Sequence, residues 1–319
     1  MSDPLQLFSE WLVYDALGFA VGSKVGTTLD FFIYDSIKIV LLLFVIIFVM
    51  AVIRSYISQK RIKKVLSGRV PLVPNFFASL FGAATPFCSC SSIPIFISFL
   101  EAGVPLGTAF SFLVTSPLVN EYVAVLMLGF FGWEVAVAYV IAGVILGMIA
   151  GLFIGRMGME KYLVKDIAMH KKNPKKEAKF NSYKERLAFA YSEAKDIVSK
   201  LWLWIMFGVG IGAVIHGFIP EEVVESIISN GGIFAVPLAV LVGIPIYANC
   251  SAVVPIAVVL FQKGVPLGTA LAFMMATAAL SLPEAIILRR VMRLKLVALF
   301  FGLVAAGIIL IGYTFNIFF

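Results

Sequence analysis

Charge is scarce in this 319-residue chain: Asp, Glu, Lys and Arg make up 13% of it, against about 25% in a typical soluble domain. With 61% hydrophobic residues and a mean hydropathy of +1.03, that scarcity excludes a soluble fold and leaves an all-α integral membrane protein of the cell membrane. Apolar runs long enough to span a bilayer recur at Ile37–Ile53, Trp133–Ile154, Leu201–Ile219 and Leu296–Phe318. Cysteine is almost absent. Cys88, Cys90 and Cys250 are the three, and none stands in a polar loop, which excludes an extracellular disulfide framework. Two histidines, His170 and His216, are too few for a His-based metal cage, and no cofactor is expected. The G-x-x-x-x-G-K-[ST] loop is missing, so the chain hydrolyses no ATP itself, and an enzyme is not the expected class. Met1–Glu10 carries acids and no basic residue, so a signal peptide is not expected.

The positive charge that is present is clustered. Of 25 Lys and Arg, six lie in Arg54–Arg69, twelve in Arg156–Lys200 and four in Arg289–Lys295. Basic residues next to spans collect on the cytoplasmic side. That clustering, not nucleic-acid binding, accounts for the net charge of +7. Gly129–Glu134 and Pro220–Gly232 carry acids and no Lys or Arg, and read as external. Arg156–Lys200 has too little apolar content for a core of its own and reads as a cytoplasmic linker against anionic lipid.

One passage occurs twice. GVPLGTA stands at Gly103–Ala109 and again at Gly264–Ala270. Each copy follows a break in an apolar run, TPFCSCSSIP at Thr85–Pro94 and IPIYANCSAVVP at Ile244–Pro255. The sequence therefore divides into an N-terminal external or interfacial segment (1–35), a first transmembrane repeat (36–156), a basic cytoplasmic linker (157–199) and a second repeat (200–319). In the first repeat the pieces are Ile37–Ile53, Leu72–Thr85, Ser91–Leu100, Pro105–Phe131 interrupted at Pro117, and Trp133–Ile154. In the second they are Leu201–Ile219, Ile233–Ile246, Val253–Phe261, Pro266–Leu288 and Leu296–Phe318. With a cytoplasmic linker between them, the first repeat begins inward and the second outward. The expected fold is an inverted-topology repeat of about five hydrophobic segments per half, with paired broken or re-entrant helices. Irregular backbone at membrane depth survives where it is buried in protein or faces a water-filled cavity, and in inverted repeats that is where substrate binds.

The residues able to do chemistry lie in these breaks. Cys88 and Cys90 form a C-x-C pair whose thiolates are soft ligands, and a helix N-terminus nearby would favour the thiolate. Packing as small apolar residues is the plainer role for a cysteine, but a recurring break makes the pair a candidate site for a soft partner such as Cu(I) or another thiophilic species. Ser89, Ser91 and Ser92 add hydroxyls where freed backbone needs partners. In the second break Cys250 follows Asn249, which aligns with Cys88 when Pro94 and Pro255 are matched. Asn120 and Glu121 follow Thr115-Ser116-Pro117. A carboxylate at membrane depth is costly and points to function, so Glu121 is the candidate coupling residue, with a hydrogen bond to freed backbone as its structural alternative. The same argument applies to Glu284, but its closeness to Arg289 and Arg290 favours one arm of an interfacial ion pair over a functional carboxylate.

The string Thr85-Pro86-Phe87-Cys88-Ser89-Cys90-Ser91-Ser92-Ile93-Pro94, with Glu101 to Gly107 and the Thr115-Ser116-Pro117 turn before Asn120-Glu121, resembles the signature of predicted permeases of the ArsP/YraQ type. The resemblance runs from about residue 36 to 319. It implies an efflux permease, with Cys88 and Cys90 as substrate thiols and trivalent organoarsenicals as the substrates of the characterised branch. A monomethyl arsenic(III) centre has two exchangeable positions, which two thiolates satisfy. The residues by themselves leave three readings. One is a secondary transporter binding a small thiophilic solute at Cys88, Cys90, Ser91, Asn120, Glu121, Asn249 and Cys250. A second is a membrane thiol-disulfide oxidoreductase, or a carrier of a sulfur-containing metabolite, using the same pair. A third is a passive channel. Against the oxidoreductase, a C-x-C disulfide closes a tight, strained ring, and a second exposed pair to relay electrons is missing. The expected partners are a small-molecule substrate and the bilayer; the sequence leaves the oligomeric state open.

Overall fold

The computed structural model describes residues 4–56, 66, 71–85, 89–119, 121–164, 182–218, 232–246, 250–262, 264–289 and 291–319. They are helical, with one isolated β-bridge between Leu163 and Met292. The helices are α1 (Pro4–Glu10, continued as a π-helical stretch Trp11–Ala16), α2 (Lys24–Tyr56), α3 (Leu72–Ala83), α4 (Ser89–Glu101), α5 (Leu106–Leu118) and α6 (Glu121–Arg156). Then follow α7 (Tyr183–Phe218), α8 (Ala235–Gly243), α9 (Cys250–Gln262), α10 (Leu267–Ala279), α11 (Leu282–Leu288) and α12 (Leu294–Phe318). Three stretches among the described residues are long and apolar enough to cross a membrane, Met127–Arg156, Leu267–Leu288 and Leu294–Phe318. The chain is an all-helical membrane protein.

Several boundaries differ from the sequence expectation. Helix α2 starts at Lys24 and runs through the boundary drawn at residue 35, and α7 takes up residues 183–199 of the expected linker as its first turns. Residues 165–181 of that linker, and 220–231 of the expected external segment, lie outside the described residues. Both Cys-containing breaks are shorter than Thr85–Pro94 and Ile244–Pro255, because α4 begins at Ser89 and includes Pro94, and α9 begins at Cys250 and includes Pro255. An internal proline removes one helical hydrogen bond without ending the helix when packing holds the turn. The consequence is local: Pro94 has no N–H to give to the Cys90 carbonyl.

The longer Pro-containing segments each resolve into two helices. Pro117 lies in the last turn of α5, which ends at Leu118 with Val119 extended (φ −129°, ψ 105°). The second such segment breaks at Leu280 (φ −130°, ψ 26°) and Ser281, while Pro283 sits just inside α11, where a missing N–H costs nothing. Gly132, at φ 84°, divides α6 into a short first piece and a long second one.

Helices α5 and α10 form the centre. Every residue of α5 is buried, and so is nearly all of α10. Helix α5 packs on α3, α4 and α6, and α10 packs on α8, α9 and α12. Small residues permit the closest approaches, as expected where lipid supplies no hydrophobic drive between helices. A Cβ on Gly82 would lie 3.0 Å from the Phe112 carbonyl oxygen, and one on Gly243 would lie 3.0 Å from that of Phe273. At Gly107 it would strike the Gly151 carbonyl, and at Gly268 the Gly312 carbonyl. Asn316 reinforces the second contact: its Oδ1 accepts from the Thr269 N–H (3.2 Å) and its Nδ2 donates to Thr269 Oγ1 (3.0 Å).

Two further contacts tie the chain together. The Val164 N–H donates to the Val291 carbonyl (3.0 Å) and the Arg293 N–H to the Tyr162 carbonyl (2.8 Å), clipping the segment after α6 to the start of α12. Phe131, next to the Gly132 bend, meets Phe261 near the end of α9 with ring centroids 5.4 Å apart.

Candidate functional site

Helix α4 opens at Ser89, so Cys90 is its second residue and Ser91 its third. Cys88 lies outside the described residues, and for Cys90 and Ser91 the helix position is described but the side chain is not. Glu121 and Cys250 are the first residues of α6 and α9, again without a described side chain, and Asn120 and Asn249 lie outside the described residues. The structure thus puts Cys90, Glu121 and Cys250 in the first turns of three helices. The amide dipoles of such turns favour a thiolate or other anion.

The side chain that links two of these starts is Ser92. Its hydroxyl donates to Ser116 Oγ at 2.8 Å, and both residues are fully buried. Ser116 stands just before Pro117 and the end of α5. Two residues further on, the Leu118 carbonyl accepts a hydrogen bond from the Tyr139 hydroxyl at 2.6 Å, which satisfies one of the carbonyls a helix end leaves free. The start of α4, the end of α5 and the start of α6 therefore meet. Ser92 and Ser116 are thus neighbours in the fold although 24 residues separate them in the chain. Loss of a buried hydrogen bond costs about 1 kcal/mol. Ser92→Ala and Ser116→Ala should each lower the melting temperature in detergent, and the double variant should lose less than the sum; additive losses would mean the two hydroxyls do not act as a pair.

A polar cluster beside this region has no counterpart in the sequence reading. Ser111 Oγ donates to Asn75 Oδ1 (2.7 Å), Asn75 Nδ2 donates to the Pro71 carbonyl (2.5 Å), and Thr115 Oγ1 donates to the Ser111 carbonyl (2.9 Å). Ser79 is fully buried with them, and Gly147 and Gly151 of α6 pack against the group. The signal was available. Asn75 and Ser79, Ser111 and Thr115, and Gly147 and Gly151 are each four residues apart, the spacing that puts small and polar residues on one helix face.

The second half is built differently. Val236, Val240, Ala272 and Ala276 hold the matching positions in α8 and α10, while Ser281 and Glu284 are buried at the α10–α11 break. Among the described residues the interfacial ion pair expected for Glu284 does not form. Glu284 is 0% exposed, and Arg289 is exposed. Five residues on a helix turn about 140° around the axis, so the two side chains leave opposite sides. Arg290 lies outside the described residues. A groove of about 560 Å³ between α2 and α7 is walled by Phe32, Phe44, Val198, Met206 and similar apolar side chains, with Ser36 the polar residue among them.

Comparison with known proteins gives a consistent family. The ArsP_1 family model, described as "Predicted permease", matches residues 24–317. "UPF0718 protein MJ0584" of Methanocaldococcus jannaschii is 20% identical, over 93% of this chain and 96% of its own. A "Putative two-component membrane permease complex subunit" of Streptococcus mutans is 26% identical over 54% of this chain, and the match spans 56% of that relative's length. "UPF0718 protein YcgR" of Bacillus subtilis is 36% identical over 28% of this chain and 31% of its own. No solved structure matches the chain.

Proposed function

The chain belongs to the ArsP_1 family of predicted permeases and is a multi-pass membrane transporter; on that premise we propose that it is a secondary transporter that expels a small thiophilic solute, such as a trivalent organoarsenical, by alternating access. In this reading Cys88 and Cys90 bind the solute reversibly. Ser91, Asn120 and Glu121 line the same region, and Asn249 and Cys250 face it from the second half. Sulfur exchange on arsenic(III) needs thiolates, and the first turn of α4 favours that form. The observation that carries the reading is the buried Ser92–Ser116 hydrogen bond, which joins the C-x-C break to the break before Glu121.

The reading also takes the halves as an inverted repeat with the central basic linker in the cytoplasm. Its support is the recurrence of whole contacts at one offset of 161 residues (250 minus 89, 267 minus 106). Gly82 on Phe112 and Gly107 on Gly151 recur as Gly243 on Phe273 and Gly268 on Gly312. The clip between Tyr162–Val164 and Val291–Arg293 favours one membrane face for two basic segments. In this reading the long part of α6 runs antiparallel to α12, which would bring the two GVPLGTA copies, each packed near the C-terminal end of its partner helix, to opposite faces.

The test is a thermal-shift titration of purified protein with methylarsenite, run beside Cys88→Ser and Cys90→Ser. A ligand that binds the folded state raises its stability by mass action, by about 2.7 kcal/mol at a hundredfold excess over Kd. The wild type should gain stability and both variants should not. No shift in fully reduced wild type would reject the arsenical.

A further inference from the structure

We infer that Glu284 is a proton-binding site through which transport is coupled to the pH gradient, an inference that rests on the transporter reading above. Both carboxylate oxygens of Glu284 are buried without a hydrogen-bond partner among the described residues, and so is the hydroxyl of Ser281 at the same break. A local structural role for the pair exists in principle. Ser281-Leu282-Pro283-Glu284 has the spacing of a capping box, in which the serine caps the helix and the glutamate reaches back to the serine N–H. Neither half of that box forms: Ser281 makes no side-chain cap, and Glu284 bonds nothing among the described residues. Packing does not call for a carboxyl there either. The residue 161 positions earlier, Val123, is apolar and buried to a similar degree (284 minus 123).

The location suits coupling. Helix α11 packs on α4, whose second residue is Cys90, and on α7. Helix α4 carries Cys90 and Glu101, and α7 carries Lys184, Glu185, Arg186, Glu193, Lys195, Asp196 and Lys200 before its apolar stretch and His216 near its end. None of the described groups among them gives Glu284 an ion pair or hydrogen bond. A bare carboxylate sealed from water without a counter-ion is unfavourable enough that such groups take up a proton or a cation instead. Hard metal ions collect about six oxygens, whereas Glu284 and Ser281 together offer three from side chains. A proton needs one. The sequence alone points to Glu121 for coupling; the buried, unpartnered oxygens add Glu284, in the other half.

The experiment compares wild type, Glu284→Gln and Glu284→Asp in proteoliposomes, using methylarsenite. Two modes are measured: net movement driven by an imposed pH gradient, and exchange of labelled for unlabelled solute with no gradient. Gln is neutral and nearly the same shape, so a proton site predicts that Glu284→Gln loses gradient-driven movement while exchange persists. Gradient-driven movement by Glu284→Gln at the wild-type level overturns the inference. So does net movement that follows sodium and ignores pH. A Glu284→Gln protein that fails to fold while Glu284→Asp folds would mean a structural anion and overturns it too. If wild type moves no methylarsenite, the substrate reading fails separately, and infrared spectroscopy decides the proton site. A protonated-carboxyl C=O band present in wild type and missing from Glu284→Gln supports it, and identical spectra overturn it.

Discussion

Gly268→Leu should leave almost no monodisperse protein in a detergent extract, whereas Gly302→Leu, on the adjoining helix α12, should leave yield and melting temperature unchanged. A Cβ on Gly268 runs into the backbone carbonyl of Gly312, and the Asn316 backbone stands close behind. Overpacking an interior usually costs about 1–3 kcal/mol when side chains can shift aside. Here the obstacle is main chain, so α10 and α12 must separate, and the Asn316–Thr269 bonds go with them. Against a total stability of about 5–15 kcal/mol, that is enough to empty the folded state. Gly302 has open space where its Cβ would go. Gly107→Leu should behave like Gly268→Leu, since Gly151 blocks it in the same way. Size-exclusion profiles of the extracted variants are the readout, and a well-folded Gly268→Leu would contradict the packing described here.

The second large effect is all-or-none labelling. Glu101 and Gln262 are the last residues of α4 and α9 and precede the two GVPLGTA copies. Gln262 is exposed and Glu101 half-buried. In a background with Cys88, Cys90 and Cys250 replaced by serine, an impermeant maleimide added to intact cells should label Gln262→Cys and spare Glu101→Cys. Inside-out vesicles should reverse the result. Labelling of both from one face would rule out an inverted arrangement of the two halves.

The helical character and most of the helix order could be read from the sequence, because apolar runs of spanning length and a repeated seven-residue string are unambiguous signals in a chain with so little charge. The extents of the breaks could not. Pro94 looks like a terminator, yet a proline costs a helix one hydrogen bond, and tertiary packing outweighs that in α4. Leu280–Ser281 interrupts the second long segment, although Pro283 nearby is the louder signal. Arg289 and Arg290 lie close to Glu284 along the chain and suggest an ion pair, but the helix turns Arg289 away, and Arg290 lies outside the described residues. The joining of Ser92 to Ser116 depends on how α4 lies against α5, a tertiary fact that no spacing encodes. The Asn75–Ser111 cluster is the reverse case: its four-residue spacing was in the sequence, in segments whose apolar character drew the reading elsewhere.

The most direct measurement is methylarsenite flux into sealed proteoliposomes, for the wild type and for Cys88→Ser and Cys90→Ser proteins shown to be folded by size exclusion. The account predicts saturable flux by the wild type and flux at the protein-free background for both variants. Equal flux by a folded Cys88→Ser, Cys90→Ser double variant would contradict it, because the solute would then cross without the thiols on which the proposed site is built.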